Sequence, residues 1–479
     1  MSINYKELGF KSGLEIHQQL DSHKLFCNCP SLLRKDNPDY EIKRKLHAVA
    51  GEKGEVDQAA KHEASLDKEF TYQGYNTTCL VELDEEPPHE INKEALKIAL
   101  HISLLLNAKI FSISQIMRKT VIDGSNTSGF QRTVMIARDG YVETSKGRVG
   151  IEGIFLEEDS ARPVERNDKK AIYKIDRLGI PLVEIATKPD IKDAEHAKET
   201  ALLIGDILRA CKVKRGIGTI RQDINISIKG SNRVELKGFQ NPDIMIKTVE
   251  NEVERQLSYV KEGKKNKAEV RNVLENGTSE FLRPMPGEDR MYPETDLPLL
   301  KISLDLINET KKTLPKLRSE LEKEFKKQGL SEEYIKLIFK QNKVEEYKEA
   351  YYSFPKPNFI AQLILVFPKD LASRKNLDAT HVTEIIGDNL MDVFNLVNKK
   401  KIKEEDIKQV FEKLVDGNTL SEAIKIEKAD LEDIEEEISK LIKSKPGLAP
   451  NAYMGLVMDK FKGKIDGKTA MEIIRKYVK

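Results

Sequence analysis

Several short stretches of this chain carry residue types that bind cations and phosphate. Glu15 and His17 stand two apart in GLEIHQQL, Asp223 and Asn225 in RQDINISI, and Glu235 and Lys237 in RVELKGF. IFLEEDSAR supplies Glu157, Glu158 and Asp159, and RLGIPLVEIATKPD sets Glu184 inside an apolar run. Three adjacent carboxylates repel one another and favour solvent, but a hard divalent cation carrying phosphates reverses that preference. Glu184 is costly to bury without a partner; a salt bridge to an arginine, a metal or a substrate ammonium would each answer that cost. The Gly- and Ser-rich stretch DGSNTSGFQRT, with Arg118 and Lys119 just before it, is a loop able to offer backbone N–H groups to phosphate.

The elements that must position these groups follow from periodicity. Alternate side chains of a strand point to opposite faces. Leu14, Ile16 and Leu20 therefore oppose Glu15, His17 and Gln19, while Ile224, Ile226 and Ile228 oppose Asp223, Asn225 and Ser227. Val234 and Leu236 likewise oppose Glu235 and Lys237. Strands far apart in the chain would thus give one face to a core and the other to a shared floor of an active site. Helical periodicity marks 92–108, 193–212 and 243–262. Strand and helix do not alternate regularly, so the expected fold is α+β with largely antiparallel sheet rather than a doubly wound parallel one. After Pro298 helical, Lys/Glu-rich sequence takes over, and NKKKIKEED near 398–406 separates a last helical unit. The expected domains are 1–300, 301–400 and 401–479, in keeping with the size prior of about three for a chain this long.

Charge is nearly balanced at +1, so it does not by itself announce a nucleic-acid binder. Locally it is uneven: residues 440–479 hold ten Lys/Arg against three Asp/Glu, behind an acidic stretch at 430–437. No signal pattern and no apolar run near the roughly 18–20 residues of a bilayer span is present, which predicts a cytoplasmic protein without a membrane partner. Four cysteines make no disulfide framework in a chain of 479 residues. Cys27 and Cys29 look like half of a zinc site and Cys79 like a third ligand, an incomplete set. No nucleophile elbow, Cys–His pair or Ser/Lys amidase signature is found, so nothing in the chain points to a means of releasing ammonia.

Taken in order, GLEIHQQL, KLFCNCP, CLVELDEEPPHEIN, DGSNTSGFQRT, LEEDSAR, RLGIPLVEIATKPDI, GIGTIRQDINISI, VELKGF and RPMPGEDRMYPETDLP resemble the archaeal GatE component of glutamyl-tRNA(Gln) amidotransferases, a paralogue of bacterial GatB. The similarity runs from about residue 10 to the C terminus. The resemblance implies a cradle-shaped catalytic domain, an all-helical domain and a helical, YqeY-like tail that grips tRNA. It also implies a reaction using ATP and Mg²⁺, in which the side-chain carboxylate of glutamate mischarged on tRNA(Gln) is phosphorylated and then amidated. An asparaginase-like glutaminase, the GatD component, would supply the ammonia, in a heterotetramer of two GatD and two GatE chains. GatE normally carries an inserted domain resembling part of aspartyl-tRNA synthetase, but here Glu254, Arg255 and Gln256 are followed almost at once by Arg283.

Within that resemblance, Glu15, His17 and Glu158 are expected to hold Mg²⁺, with Glu157 as a further ligand or supporting group. Asp223, Asn225, Glu235 and Lys237, with Ser128, are expected at ATP or a second metal. Arg177, Arg221 and Arg290 would stabilise charge on the transferring phosphoryl group, and Glu184 would receive ammonium and take its proton. Two rival readings are a bacterial-type GatB, acting also on Asp-tRNA(Asn), and a non-catalytic tRNA-binding scaffold of the same fold.

Overall fold

The computed structural model describes every residue except 1, 2, 51–53, 57, 168, 240, 241, 286, 288, 289, 426–430, 462–464, 466 and 479. The side chains of 58, 59, 62, 242, 243 and 431–433 are likewise not described. Part of the 430–437 acidic stretch, and Lys462, Lys464, Asp466 and Lys479 of the basic tail, therefore lie outside the described residues.

Among the described residues one large sheet dominates the first three hundred. Its strands, in chain order, are β1 (Lys11–Gln19), β2 (Lys109–Ile110), β3 (Met117–Thr120), β4 (Phe130–Thr144), β5 (Gly147–Glu158), β6 (Pro181–Thr187), β7 (Ile220–Ser227), β8 (Val234–Phe239), β9 (Glu269–Val273), β10 (Ser279–Pro284) and β11 (Met291–Pro293). Across the sheet they lie in the order β10-β9-β8-β7-β1-β6-β5-β4-β3-β11, with β2 beside β4. Every pairing is antiparallel except β8 with β9. The antiparallel α+β expectation holds.

The alternation read from the sequence sets which face is covered. Leu14, Ile16, Ile154, Ile185, Ile224 and Leu236 are fully buried on one face. Against them pack three helices, α1 (Lys93–Leu105), α2 (Ala194–Ala210) and α3 (Pro242–Lys261). Each begins or ends within three residues of the helical pattern expected for it. Asn92 caps α1, its side-chain oxygen accepting from the backbone N–H of Glu94 and Ala95. After α3 the chain enters β9 within a few residues, with no room there for an inserted domain. A smaller sheet, Tyr40–Arg44, Glu69–Gly74, Lys170–Lys174 and Arg162–Arg166, closes over Phe70, Tyr72 and Tyr173.

The chain divides into two compact units, 1–318 and 319–479. The second is helical throughout its described elements. It contains one apolar cluster drawn from Leu321 to Ala423 and another from Ile434 to Ile474. The boundary expected at 300 thus falls 18 residues ahead of the division at 318. That expected at 400 cuts through the first cluster, because Ile402, Ile407, Val410, Phe411 and Leu414 share a core with Val382, Ile386 and Phe394. The Lys-rich segment that suggested a linker is only the surface turn of a continuous helical core. No helix among the described residues is long and apolar enough to cross a membrane.

Candidate functional site

The uncovered face of the large sheet gathers most of the charged residues singled out in the sequence. Antiparallel register does this directly, since residues paired across two strands share a face. His17 pairs with Glu184 of β6 and Arg221 of β7, and Glu15 pairs with Asp223. Glu184 pairs with Phe155, which puts Glu157, two residues on, on the same face. Asn225 pairs with Glu235 in β8.

Two adjoining clusters result. In the first, His17 Nε2 lies 3.2 Å from Glu184 and 3.6 Å from Glu157. Lys119 reaches across β4 from β3 to place Nζ 2.8 Å from Glu157 and 3.5 Å from Glu184. In the second, Lys237 Nζ donates to Asp223 at 2.7 Å and Glu235 at 2.5 Å, and Asn225 Nδ2 donates to Glu15 at 3.0 Å. Ligand atoms of His17, Glu157 and Glu184 lie within 4.8 Å of one another, as do those of Glu15, Asp223 and Glu235. Asn225 Oδ1 is buried without a partner.

The electrostatics are those of a site short of positive charge. Burial, Glu235 and Glu184 all raise the Glu15 carboxyl, with Lys237 and His17 opposing. Burial disfavours the charged form of His17, but the bond to Glu184 and the charges of Glu184, Glu157 and Asp223 outweigh it and raise its pKa. Glu184 goes the other way: burial would raise it, yet Lys119, His17 and Arg290 hold it far below the usual carboxylate range.

Three expected members fall elsewhere. Glu158 is not a partner of Glu15 and His17: as the neighbour of Glu157 in a strand it points to the opposite face. There it accepts from the backbone N–H of Arg132 at 3.2 Å, and burial raises its carboxyl. Ser128 is also on that side, its hydroxyl donating to the Phe130 carbonyl. With Lys24, Glu82, Arg132 and Glu158 it lines a separate small pocket. Arg177 is turned into backbone, donating to the carbonyls of Ser160 and Ala161, and only approaches Asp159 at 3.7 Å. Arg221 bonds Asp159 at 2.9 Å while feeling the charges of Asp223 and Glu157, so it borders the clusters. Arg290 acts on Glu184 and Lys119 through its charge. Lys119 was read only as one of a cationic pair ahead of a phosphate-type loop; its place between Glu157 and Glu184 follows from the strand order, which no local motif carries.

The family model described as the GatB/GatE catalytic domain matches residues 10–308, and one described as a GatB domain matches 342–478. The chain belongs to the GatB/GatE family. Among similar relatives, the E component of the glutamyl-tRNA(Gln) amidotransferase of Methanocaldococcus jannaschii is 37% identical, the alignment covering 100% of both chains. That of Thermococcus sibiricus is 33% identical over 100% of this chain and 99% of its own, and that of Methanosarcina acetivorans 34% over 99% and 98%. The first alignment runs over 632 positions against 479 residues here, so at least 153 positions have no residue in this chain. This agrees with the direct passage from α3 to β9.

This GatB/GatE chain also completes the cysteine set. Ligand atoms of Cys27, Cys29, Cys79 and Glu82 lie within 4.8 Å of one another. Glu82 Oε2 accepts from the Cys79 backbone N–H at 2.8 Å and from its thiol at 2.9 Å, while buried Lys24 donates to Oε1 at 2.6 Å. The Cys29 thiol is lowered by its bond to Cys27, and burial pushes Cys79 up to about 12. Cys211 stands apart, buried against the main core. Glu82, the fourth residue of this group, went unread because it is a carboxylate, although Cys79 and Glu82 keep the spacing of a C-x-x-C pair.

Proposed function

We propose that this chain is the transamidase component that converts glutamate carried on tRNA(Gln) into glutamine, with ATP phosphorylating the side-chain carboxylate and ammonia displacing phosphate. Membership of a family whose relatives are named as amidotransferase subunits supports a tRNA-dependent amidotransferase acting with other subunits. The observation that carries the reading is the convergence of Glu15, His17, Glu157, Glu184, Asp223 and Glu235 on one sheet face beside an unpartnered carboxamide oxygen.

A carboxylate is a poor acyl donor because oxide would have to leave; phosphate leaves readily, so the remaining work is alignment and charge neutralisation. The donor set fits Mg²⁺: five carboxylates face two lysines and one imidazole, and Asn225 Oδ1 is free to ligate. His17, Glu157 and Glu184 would hold one ion, and Glu15, Asp223 and Glu235 a second. A bound Mg²⁺ supplies neutralising charge to the phosphates. Arg221 and Arg290 add positive charge at the rim, and Lys119 and Lys237 keep the carboxylates ionised and in place. Glu184 cannot both ligate the first ion and receive ammonium and its proton, and it is assigned here to the ion.

The ammonia would come from an asparaginase-like glutaminase, two copies with two of this chain, in the cytoplasm. A zinc ion held by Cys27, Cys29, Cys79 and Glu82 would brace the neighbouring loop; three thiolates and a carboxylate suit zinc.

The deciding experiment compares Glu157→Gln, Glu184→Gln and Glu158→Gln in full-length chain with the glutaminase and Glu-tRNA(Gln). The first two are expected to lose ATP-dependent amidation by about 10²–10³-fold, the scale of losing one preorganised charge at a reacting phosphoryl group. Glu158→Gln is expected to lose much less. Full activity in both of the first two would overturn the assignment. Zinc content measured on the same preparations should be one ion per chain and fall in Glu82→Gln; zinc-free protein would remove that site.

A further inference from the structure

Between α2 and β7 the chain makes a loop, KRGIGT, residues 214–219, with two glycines of positive φ, Gly216 and Gly218, on either side of Ile217. Ile217 is 98% exposed, the highest value of any large apolar side chain among the described residues. An exposed isoleucine on a floppy loop would mean little. This loop is anchored. The buried Gln18 amide donates to the carbonyls of Gln19, Lys214 and Thr219, at 3.0, 2.9 and 3.1 Å, and the Gln19 backbone N–H donates to Thr219 at 2.9 Å. The loop is thus tied at both feet to the end of β1, directly beside the His17–Arg221 pair.

Its cations are also unusual. Lys212 and Arg209 are neutralised by Glu94 and Asp206. Lys214 and Arg215 instead donate to backbone carbonyls, of Ser31 and Arg209 respectively. Burial disfavours the charged form of Lys214, with Asp21 only partly opposing, and burial and Arg209 disfavour that of Arg215, so both would gain from an anion. A held-out apolar tip beside two cations held on backbone carbonyls fits a partner presenting flat apolar faces and phosphates together, which is nucleic acid rather than an acidic or apolar protein surface.

On the reading given under Proposed function, the reacting glutamate is esterified to the terminal nucleotide of its tRNA. Wherever its side chain meets Glu184 and His17, the last nucleotides must lie at the rim of that face, within about one amino-acid length. We propose that the 214–219 loop seats the single-stranded acceptor end of the tRNA, Ile217 packing on a base or ribose face and Lys214 and Arg215 meeting the flanking phosphates. In this role they are positioning residues: they would place the ester-linked glutamate over the carboxylate clusters without touching the reacting atoms.

The test uses full-length chain with its glutaminase partner, and carries Ile217→Asp and Arg215→Glu. Binding of intact tRNA(Gln) and of the same tRNA lacking its last four nucleotides is measured across a salt series, with steady-state amidation of Glu-tRNA(Gln). Ile217→Asp is expected to raise the Kd and KM for intact tRNA about tenfold with kcat little changed, and to leave the Kd for shortened tRNA as in the parent. Arg215→Glu should also reduce the salt slope of log Kd by about 0.7, the value for one phosphate contact in a single strand. The melting temperature of each variant guards against misfolding. Variants that bind both tRNAs like the parent would overturn the proposal, as would weaker association with the glutaminase in place of weaker tRNA binding. If the parent itself neither binds nor amidates Glu-tRNA(Gln), the underlying reading fails first, and the assignment of the loop falls with it.

Discussion

On the proposed reading, His17 is the residue at which protonation and metal binding would exclude each other. In the ion-free protein the surrounding carboxylates, Glu184 first among them, raise its pKa above the ordinary value despite burial. Its charged form therefore contributes stability that is fully present below the unfolded value of about 6.5 and is lost as pH rises through the higher folded value. A metal needs the neutral imidazole, so ion binding near neutral pH must expel a proton. Titration calorimetry with Mn²⁺ or Mg²⁺ in buffers of different ionisation enthalpy should report that proton, with apparent affinity rising as pH increases. His17→Gln should abolish the release. Binding without proton release in the parent would leave His17 outside the ligand set. Glu157 and Glu158 make the complementary point: adjacent in sequence, they serve different faces, so their substitution effects should differ in kind.

At the scale of elements, the site depends on how closely α1 lies against β4. Gly140 is where β4 meets the turn that follows α1: a Cβ there would come within 2.6 Å of the Leu106 carbonyl oxygen and 2.9 Å of the Ala108 Cβ. The next residue's N–H, of Tyr141, donates to that same carbonyl at 2.8 Å, so the oxygen is held and has little freedom to yield. A glycine inside a strand commonly marks such an approach of backbone to backbone. Gly140→Ala is expected to destabilise the first unit by about 1–3 kcal/mol, the usual range for overpacking. A lower denaturant midpoint at unchanged slope would register this; an unchanged midpoint would mean that α1 shifts freely. Because β4 lies between Lys119 and Glu157, displacement here should also loosen the first carboxylate cluster.

For the molecule as a whole, the informative cut is in the helical unit. A chain ended at 400 removes Ile407, Val410 and Phe411, each fully buried in the core that begins at Leu321. Losing large core side chains costs about 2–5 kcal/mol apiece, and three together rival the roughly 5–15 kcal/mol that holds a domain folded. A chain ended at 425 keeps that core and removes only the second cluster, Ile434 to Ile474. Thermal melts should therefore show the 425 chain retaining its helical transition and the 400 chain losing it; equal melts would contradict a shared core. The 425 chain should also bind tRNA with a shallower salt dependence, since the basic tail goes with the deleted residues.

Period-two alternation in β1, β7 and β8 was enough to read which side chains enter the core and which lie on the uncovered face, because a strand offers its residues no other choice. The same rule separates Glu157 from Glu158, but adjacent acidic residues in one motif invite being read as one ligand group. Helix positions and the α+β class were legible for a similar reason, since local periodicity needs no partner. What the sequence could not carry was register and reach. That His17 faces Glu184, that Lys119 spans a strand to join them, and that Glu82 closes the cysteine set are products of strand pairing and chain crossing. His17 and Glu184 are 167 positions apart, Lys119 and Glu184 65, and Cys27 and Glu82 55, and no local pattern encodes which distant segment will lie alongside.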